Sequence, residues 1–263
     1  MFLVLYVDDI LLIGNDVGVM LSIKVWLSSQ FAMKDLGEAN FILGIKLWRD
    51  HKNKMLGLSQ AGYIDKVPEQ FSMQNSKKGL LPFRHGVPLF DDQRPKTLEE
   101  ENMMRQVPYD STVGSLMYAM LCTRPDICYS VGMVSRYQSN PRPKYWQAVK
   151  HILKYLQRTI DYMLVYRSED LIPIGYTDLD FQSDLDFRKS TSGCVSTLRG
   201  GAITWRSVKQ SCIANSTMEA EYVVACETAN EAVWLKKFLS DLGVVRIEQV
   251  SITLFCDNSG AVA

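Results

Sequence analysis

Two adjacent acids, Asp8 and Asp9, stand between the apolar runs 2–7 and 10–14. Side-by-side carboxylates repel each other and resist ionisation unless a dication neutralises them, so the pair is either a polar hairpin turn or a metal-binding point. Further acids fall where the apolar pattern changes: Asp178 closes the run 174–177, Asp257 closes 252–256, and Glu219 and Glu221 follow Ser216 at the start of a helical pattern. Hard divalent ions take oxygen ligands of this kind. Lys150, Lys154 and Arg158 recur at four-residue steps beside His151, a basic stripe with the spacing of a solvated helix face. The six cysteines (122, 128, 194, 212, 226, 256) contain no C-x-x-C pair and read as reduced, buried thiols of an intracellular protein. The three histidines are too scattered to complete a zinc site with them.

The elements that must position these groups follow from periodicity. Residues 2–7 and 10–14 read as two strands around a tight turn. A helix over 17–31 carries Met20, Ile23, Trp26 and Leu27 on one apolar face and is expected to cover one face of that hairpin. Residues 41–47 and 55–59 read as paired strands across the polar turn 50–54. A helix after Tyr63 contains Pro68, which in a helix interior costs about 3 kcal/mol or forces a kink. From 76 to 108 the periodicity fades, marking a linker or a loosely packed surface segment.

Three apolar stripes then predict a small helical bundle: Val113, Leu116, Met117 and Met120; Ile127, Val131 and Val134; Trp146, Val149, Leu153 and Leu156. Thr123 is placed to cap the second of these helices ahead of Pro125 and Asp126. Residues 174–178 form a strand that ends in acid and runs into an acidic loop holding Asp180, Asp184 and Asp186. Residues 193–198 and 202–205 pair across a glycine turn. Ser216-Thr217-Met218-Glu219 is a capping box that opens a long helix, with Tyr222, Cys226, Ala229 and Val233 as its core face. Residues 252–257 give a fourth strand, and a further helix is due after Asn258-Ser259-Gly260.

Tyr6-Val7-Asp8-Asp9 followed by Ile10-Leu11-Leu12-Ile13-Gly14 resembles the polymerase-palm signature of reverse transcriptases in copia-type retrotransposon Pol polyproteins. Asp35-Leu36-Gly37, the run from Phe41 to Gly44, and Leu58-Ser59-Gln60 with Tyr63-Ile64 recur in that family in this order. Tyr176-Thr177-Asp178, Arg188-Lys189-Ser190-Thr191-Ser192-Gly193, Glu219-Ala220-Glu221-Tyr222 and Asp257-Asn258-Ser259 are similar to the RNase H domain of the same family. The resemblance implies an α+β chain in family order: a partial polymerase palm (1–75), a linker (76–108), thumb or connection helices (109–171) and an RNase H-like α/β domain with a mixed sheet (172–263).

It also implies RNA-directed DNA synthesis and cleavage of RNA in RNA–DNA hybrids by the parent polyprotein, in the service of transposition and DNA integration. The implied partners are an RNA template, a DNA primer and an RNA–DNA hybrid. The implied cofactor is Mg²⁺ or Mn²⁺, with two ions roughly 4 Å apart in the nuclease. By resemblance Asp8 and Asp9 bind metal in the palm, Asp8 meeting it squarely. Asp178 bridges the nuclease metals, a helix glutamate assists and Asp257 completes the set. Residues two apart on a helix point to nearly opposite sides, so Glu219 and Glu221 cannot both face the metal. Glu219 is already accounted for by the capping box, while Glu221 sits where the family's acid precedes a bulky residue, so the resemblance points to Glu221; the residues by themselves leave both open. Lys150, Lys154 and Arg158 become candidates for phosphate contact, because this region lies near the hybrid in the family. The family's earlier palm acid, its fingers and its fourth nuclease acid have no counterpart here, so the chain reads as a fragment of a longer polyprotein. The alternative is a catalytically inactive relic that at most binds nucleic acid.

Composition is compatible with this: 263 residues, 47% hydrophobic and 22% charged, suit roughly two compact domains. The formal net charge is zero, so nucleic-acid binding would need locally clustered cations. The N-terminal apolar run lacks a basic leader and is interrupted by Asp8-Asp9, which argues against a signal peptide or membrane span. The family implies a cytoplasmic virus-like particle or the nucleus; oligomeric state is not legible.

Overall fold

A computed structural model describes residues 1–84, 89–90, 98–167, 172–198, 200–243, 252–258 and 260. The chain divides into two compact units, Met1–Leu43 and Gly44–Ala263. In the first, β1 (Phe2–Tyr6) and β2 (Asp9–Ile13) pair antiparallel with Tyr6 opposite Asp9, so Val7 and Asp8 make the turn. Val7 takes φ 49°, a left-handed value that costs a β-branched residue about 1–2 kcal/mol. Helix α1 (Val17–Gln30) starts at Asp16, whose side chain accepts from Val19 N at 3.0 Å. Leu27 is its buried residue; Trp26, placed on the same face by spacing, is exposed because it lies at the edge of so narrow a stripe. The apolar run 41–47 is not one strand: β3 (Phe41–Ile42) stops at Leu43, where φ turns positive at 50°.

The second unit contains two sheets. Strands β4 (Ile45–Asp50), β5 (Met55–Ser59) and β6 (Leu164–Arg167) pair antiparallel in that order. Five helices accompany them: α2 (Ala61–Gln70), α3 (Leu98–Arg105), α4 (Tyr109–Cys122), α5 (Cys128–Ser135) and α6 (Pro143–Arg158). On α6, Tyr145, Ala148, Val149, Ile152, Leu153 and Leu156 are buried, the three-and-four spacing of a single apolar face. They join Val113, Leu116, Ile127, Val131 and Val134 in one core, each fully buried Leu, Ile or Val contributing about 1.5–3 kcal/mol. Ile64 and Val67 of α2 belong to the same core. Pro68 falls in the last turn of α2, so its missing N–H leaves only Ile64's carbonyl without its helical partner and the helix runs on to Gln70.

Three local expectations are corrected here. The stretch 76–108 is not simply a linker: it contains α3, buries Leu89 in the shared core, and bonds Gly79 N to Lys154 O at 2.9 Å. Single anchors of this kind carry no periodicity, which is why the sequence pattern fades. Thr123 does not cap the second bundle helix. It ends α4, and its hydroxyl donates to Gln60 Oε1 at 2.7 Å, while Pro125–Ile127 forms a 3-10 turn without a side-chain cap. The cysteines are free as expected but not uniformly buried, since Cys212 and Cys226 are exposed.

The second sheet has the order β10-β7-β8-β9, from β7 (Pro173–Asp184), β8 (Lys189–Leu198), β9 (Gly201–Lys209) and β10 (Thr253–Phe255). Only β10 runs parallel to its neighbour, so the sheet is mixed as expected. Against the expected acidic loop, β7 continues through Asp178 and Asp180 to Asp184, with a register shift between Asp180 and Asp184. Pairing with β8 supplies backbone partners that hold the acidic stretch extended. Helix α7 (Thr217–Asp241) packs against β7 and β8. The helical bundle meets this sheet through polar contacts: Tyr129 Oη donates to Asp180 Oδ2 at 2.7 Å, Arg136 Nη2 to Thr191 Oγ1 at 3.0 Å, and Trp205 Nε1 to Met120 O at 3.0 Å.

Candidate metal centre

Ser216 caps α7 by accepting from Glu219 N at 3.1 Å, and Glu219 Oε2 in turn accepts from Asn215 N at 2.8 Å. The box therefore closes on the residue before the cap, which still engages Glu219 in local backbone bonding. The buried face of α7 is Ala220, Glu221, Val224, Thr228, Ala232, Leu235 and Leu239. The face predicted from Tyr222, Cys226 and Val233 is the solvent side, where all three are exposed. The inner stripe runs from slim residues (Ala220, Val224, Thr228, Ala232) to Leu235 and Leu239, and weighting by Tyr222, Cys226 and Val233 picked the wrong side. Glu221 therefore points under the helix, 7% exposed.

The parallel register sets Thr253 beside Ile174, Leu254 beside Gly175 and Phe255 beside Tyr176. Continued at the same offset, it sets Cys256 beside Thr177 and Asp257 beside Asp178. Gly175 has no side chain because a Cβ there would strike Leu254, which lies on the α7 side together with Thr228. Alternation then puts Thr177 and Cys256 on the helix side, and Asp178 on the opposite face with Tyr176 and Phe255, which stack at 5.4 Å. Asp257 lies past the end of β10 and escapes that alternation.

As a result, Glu221, Cys256 and Asp257 bring one ligand atom each to within 4.8 Å of one another. Cys256 Sγ is 4.0 Å from Glu221 Oε2 and 3.9 Å from Asn258 O. Asp178 is outside this close group, yet its charge is felt there. Burial first, then the charges of Asp257 and Asp178, hold the Glu221 carboxyl above its ordinary range. A buried carboxylate beside Asp257, with the Asp178 charge acting on it from outside the group, is a donor set that a divalent cation fits, so the residues present suit the metal that the resemblance implies. Cys256 was missed from the sequence; the signal was its place immediately before Asp257 in a strand, where one of two neighbours must face the helix.

The other expected residues lie apart. Asp8 and Asp9 are both exposed, Asp8 in the turn and Asp9 opening β2. Lys150 and Lys154 are half-buried on α6 and Arg158 is exposed in its last turn, where the helix dipole favours a cation in any case. Lys150 Nζ lies 5.9 Å from the centre of the Trp146 ring. His151 between them is held below the ordinary imidazole range by burial and then by Arg84, Lys154 and Lys150. Arg84 thus joins the basic stripe from a distant segment, which spacing along α6 could not reveal.

The reverse transcriptase (RNA-dependent DNA polymerase) family matches residues 1–85. The chain is 48% identical over 260 residues to the retrovirus-related Pol polyprotein from transposon TNT 1-94 of Nicotiana tabacum, covering 99% of this chain and 19% of that protein. It is 46% identical over 133 residues to the secreted RxLR effector protein 161 of Plasmopara viticola, covering 50% of this chain and 94% of that one. It is also 31% identical over 232 residues to a putative transposon Ty5-1 protein of Saccharomyces cerevisiae, covering 88% of this chain and 73% of that one. No solved structure matches. The chain belongs to the reverse transcriptase family of copia-type retrotransposon Pol polyproteins. It spans 19% of the length of the tobacco polyprotein. Among the described residues, no helix is long and apolar enough to cross a membrane.

Proposed function

We propose that this chain carries the distal reverse transcriptase palm (1–75), a connecting segment (76–108), connection helices (109–171) and an RNase H-like domain (172–263), and that the last of these engages an RNA–DNA hybrid at a divalent-metal site. One observation supports the reading: the parallel β7–β10 pairing, which ends with Phe255 beside Tyr176, brings Asp257 to the buried Glu221 carboxylate of α7, with Asp178 two residues beyond Tyr176 on β7. Three acids from a central strand, a helix and a neighbouring strand are the oxygen donors that Mg²⁺ or Mn²⁺ requires. When bound, such an ion supplies charge stabilisation at a scissile phosphate and acidifies a water. The chain's own part is to hold the acids on rigid elements, with β10 and the N-terminal turn of α7 fixing their separation. Lys150, Lys154 and Arg158, with Arg84 acting on the same stretch, form a phosphate-binding surface for the backbone of the hybrid, a contact that needs no sequence reading. In the parent polyprotein Asp8 and Asp9 serve the polymerase, with template RNA and primer DNA as substrates.

A second reading, a hybrid-binding module without turnover, is favoured by the placement of Asp178 on the sheet face away from Glu221. The experiment is hybrid binding and cleavage by the chain in Mg²⁺ or Mn²⁺, with and without Asp178→Asn. Cleavage that disappears with Asp178→Asn supports the nuclease; metal-stimulated binding without cleavage supports the module; no metal-dependent interaction with the hybrid removes both.

A further inference from the structure

We infer that Glu221, Cys256 and Asp257 form a mixed thiolate–carboxylate site that captures a thiophilic divalent cation, of the Zn²⁺ or Cd²⁺ class, in competition with the hard cation. This deepens the reading above and rests on it, because the same carboxylates would serve both ions.

Two independent observations support it. The first is convergence: the sulfur and two carboxylate oxygens lie within 4.8 Å of one another, and the sulfur stands 4.0 Å from Glu221 Oε2. A tetrahedral zinc with Zn–S of about 2.3 Å and Zn–O of about 2.0–2.2 Å needs such atoms about 3.5 Å apart, so the ligand atoms close by about half an ångström to about 1.3 Å, within reach of rotamer adjustment of exposed Asp257 and of Cys256. The carbonyl of Asn258, 3.9 Å from the same sulfur, offers a further oxygen. The second is the burial of Glu221: its carboxylate is more than nine-tenths buried and is turned toward the Cys256 sulfur at the end of β10. A buried carboxylate so placed calls for a cation.

The other thiol–carboxylate pair makes the contrast. Cys194 Sγ is closer to its acid, 3.5 Å from Glu231 Oε2, but Arg206 stands beside it and supplies the positive charge. Burial, then the Glu231 charge, pushes the Cys194 thiol up to about 12. Cys256 instead shares one cluster with two acids, Glu221 and Asp257.

Ligand softness gives the selectivity its direction. Thiolates favour zinc-like ions, whereas Mg²⁺ takes oxygen only, so Cys256 adds affinity for one class and none for the other. Binding releases the thiol proton to solvent as the sulfur–metal bond forms.

The test uses the full chain with the exposed Cys212 and Cys226 changed to Ser, so that adventitious surface thiols are absent. Co²⁺ is the spectroscopic probe, since a sulfur-to-cobalt charge-transfer absorption reports a thiolate ligand directly, and calorimetry with Zn²⁺ and with Mg²⁺ gives affinities. The expected result is a charge-transfer band that Cys256→Ser and Cys256→Ala both abolish. Zn²⁺ affinity should fall in each by at least about tenfold, the loss typical of removing even an outer partner of a metal ligand. A band that persists in both variants, or Zn²⁺ affinity equal to that of the parent, overturns the inference. The Mg²⁺ arm separates this from the underlying reading. Mg²⁺ binding sensitive to Glu221→Gln with no Cys256-dependent Zn²⁺ binding sinks the thiolate site alone, and absence of binding by either ion sinks both.

Discussion

Glu219 and Glu221 stand two residues apart at the start of α7 and face opposite ways: Glu219 Oε2 accepts from Asn215 N at 2.8 Å, while Glu221 lies buried beneath the helix. One acid builds the helix terminus and the other is delivered by it. Removing the first should therefore cost stability and not metal. Ser216→Ala and Glu219→Ala are each expected to lower unfolding free energy by about 1 kcal/mol, read as denaturation midpoints, with dication affinity retained. Loss of metal binding in Glu219→Ala equal to that in Glu221→Gln would assign the helix acid wrongly.

The buried position of Glu221 predicts a specific pH dependence. Its carboxyl is held above the ordinary range in the folded chain, so the folded state binds the proton more tightly than the unfolded state does. The stabilising contribution is complete below the unfolded glutamate value of about 4.3 and is lost as pH rises through the raised folded value. Metal-free Glu221→Gln should then be more stable than the parent at neutral pH, with the difference vanishing on acidification. Saturating Mg²⁺ should reverse the order by stabilising only the parent. Urea unfolding from acid to neutral pH, with and without Mg²⁺, reads both; a Gln variant that is less stable at neutral pH without metal would contradict the argument.

Arg124 is a buried cation of the bundle. It is 1% exposed, donates from Nε and Nη2 to both oxygens of Asp126 and from Nη1 to Thr159 O, and lies over the rings of Tyr155 and Tyr162. Asp126→Asn would leave that guanidinium without its counter-charge. The expected loss is about 3 kcal/mol, the lower end for a broken buried pair, because the Asp126 side chain is itself 31% exposed. Chemical denaturation should show it as a shifted midpoint with an unchanged slope.

In the β1–β2 hairpin, Asp8 occupies the turn after the strained Val7, and Asp9 is already paired opposite Tyr6. Asp8 lies in the turn while Asp9 is committed to the β1–β2 pairing, so the two acids are not equivalent toward a metal. In a complete polymerase carrying this hairpin, Asp8→Asn is expected to lower primer extension about tenfold more than Asp9→Asn, or about 1.4 kcal/mol more in barrier. Equal losses would show that the hairpin presents both acids alike.

Much of this protein is fixed locally and could be read directly. The hairpin around Asp8, the capping of α7 by Ser216, the apolar stripe of α6 and the antiparallel β8–β9 turn each depend on residues close in sequence, whose hydrogen bonds and periodicity settle the outcome before any tertiary contact forms. That Glu219 and Glu221 cannot share one face follows from the helical repeat. What required the tertiary structure is everything that depends on distant partners. Which stripe of α7 turns inward was decided by the sheet beneath it, which accepts Ala220, Val224 and Thr228 and leaves Tyr222 and Val233 in solvent. The extension of β7 through its acids was decided by pairing with β8, and the burial of Leu89 by a core assembled from α4 to α6. The register of β10 on β7 put Cys256 beneath α7 and left Asp178 on the far face. A one-residue slip of a strand exchanges its two faces, and the register is set by a pairing between strands distant in sequence, so the membership of the metal centre is a tertiary property.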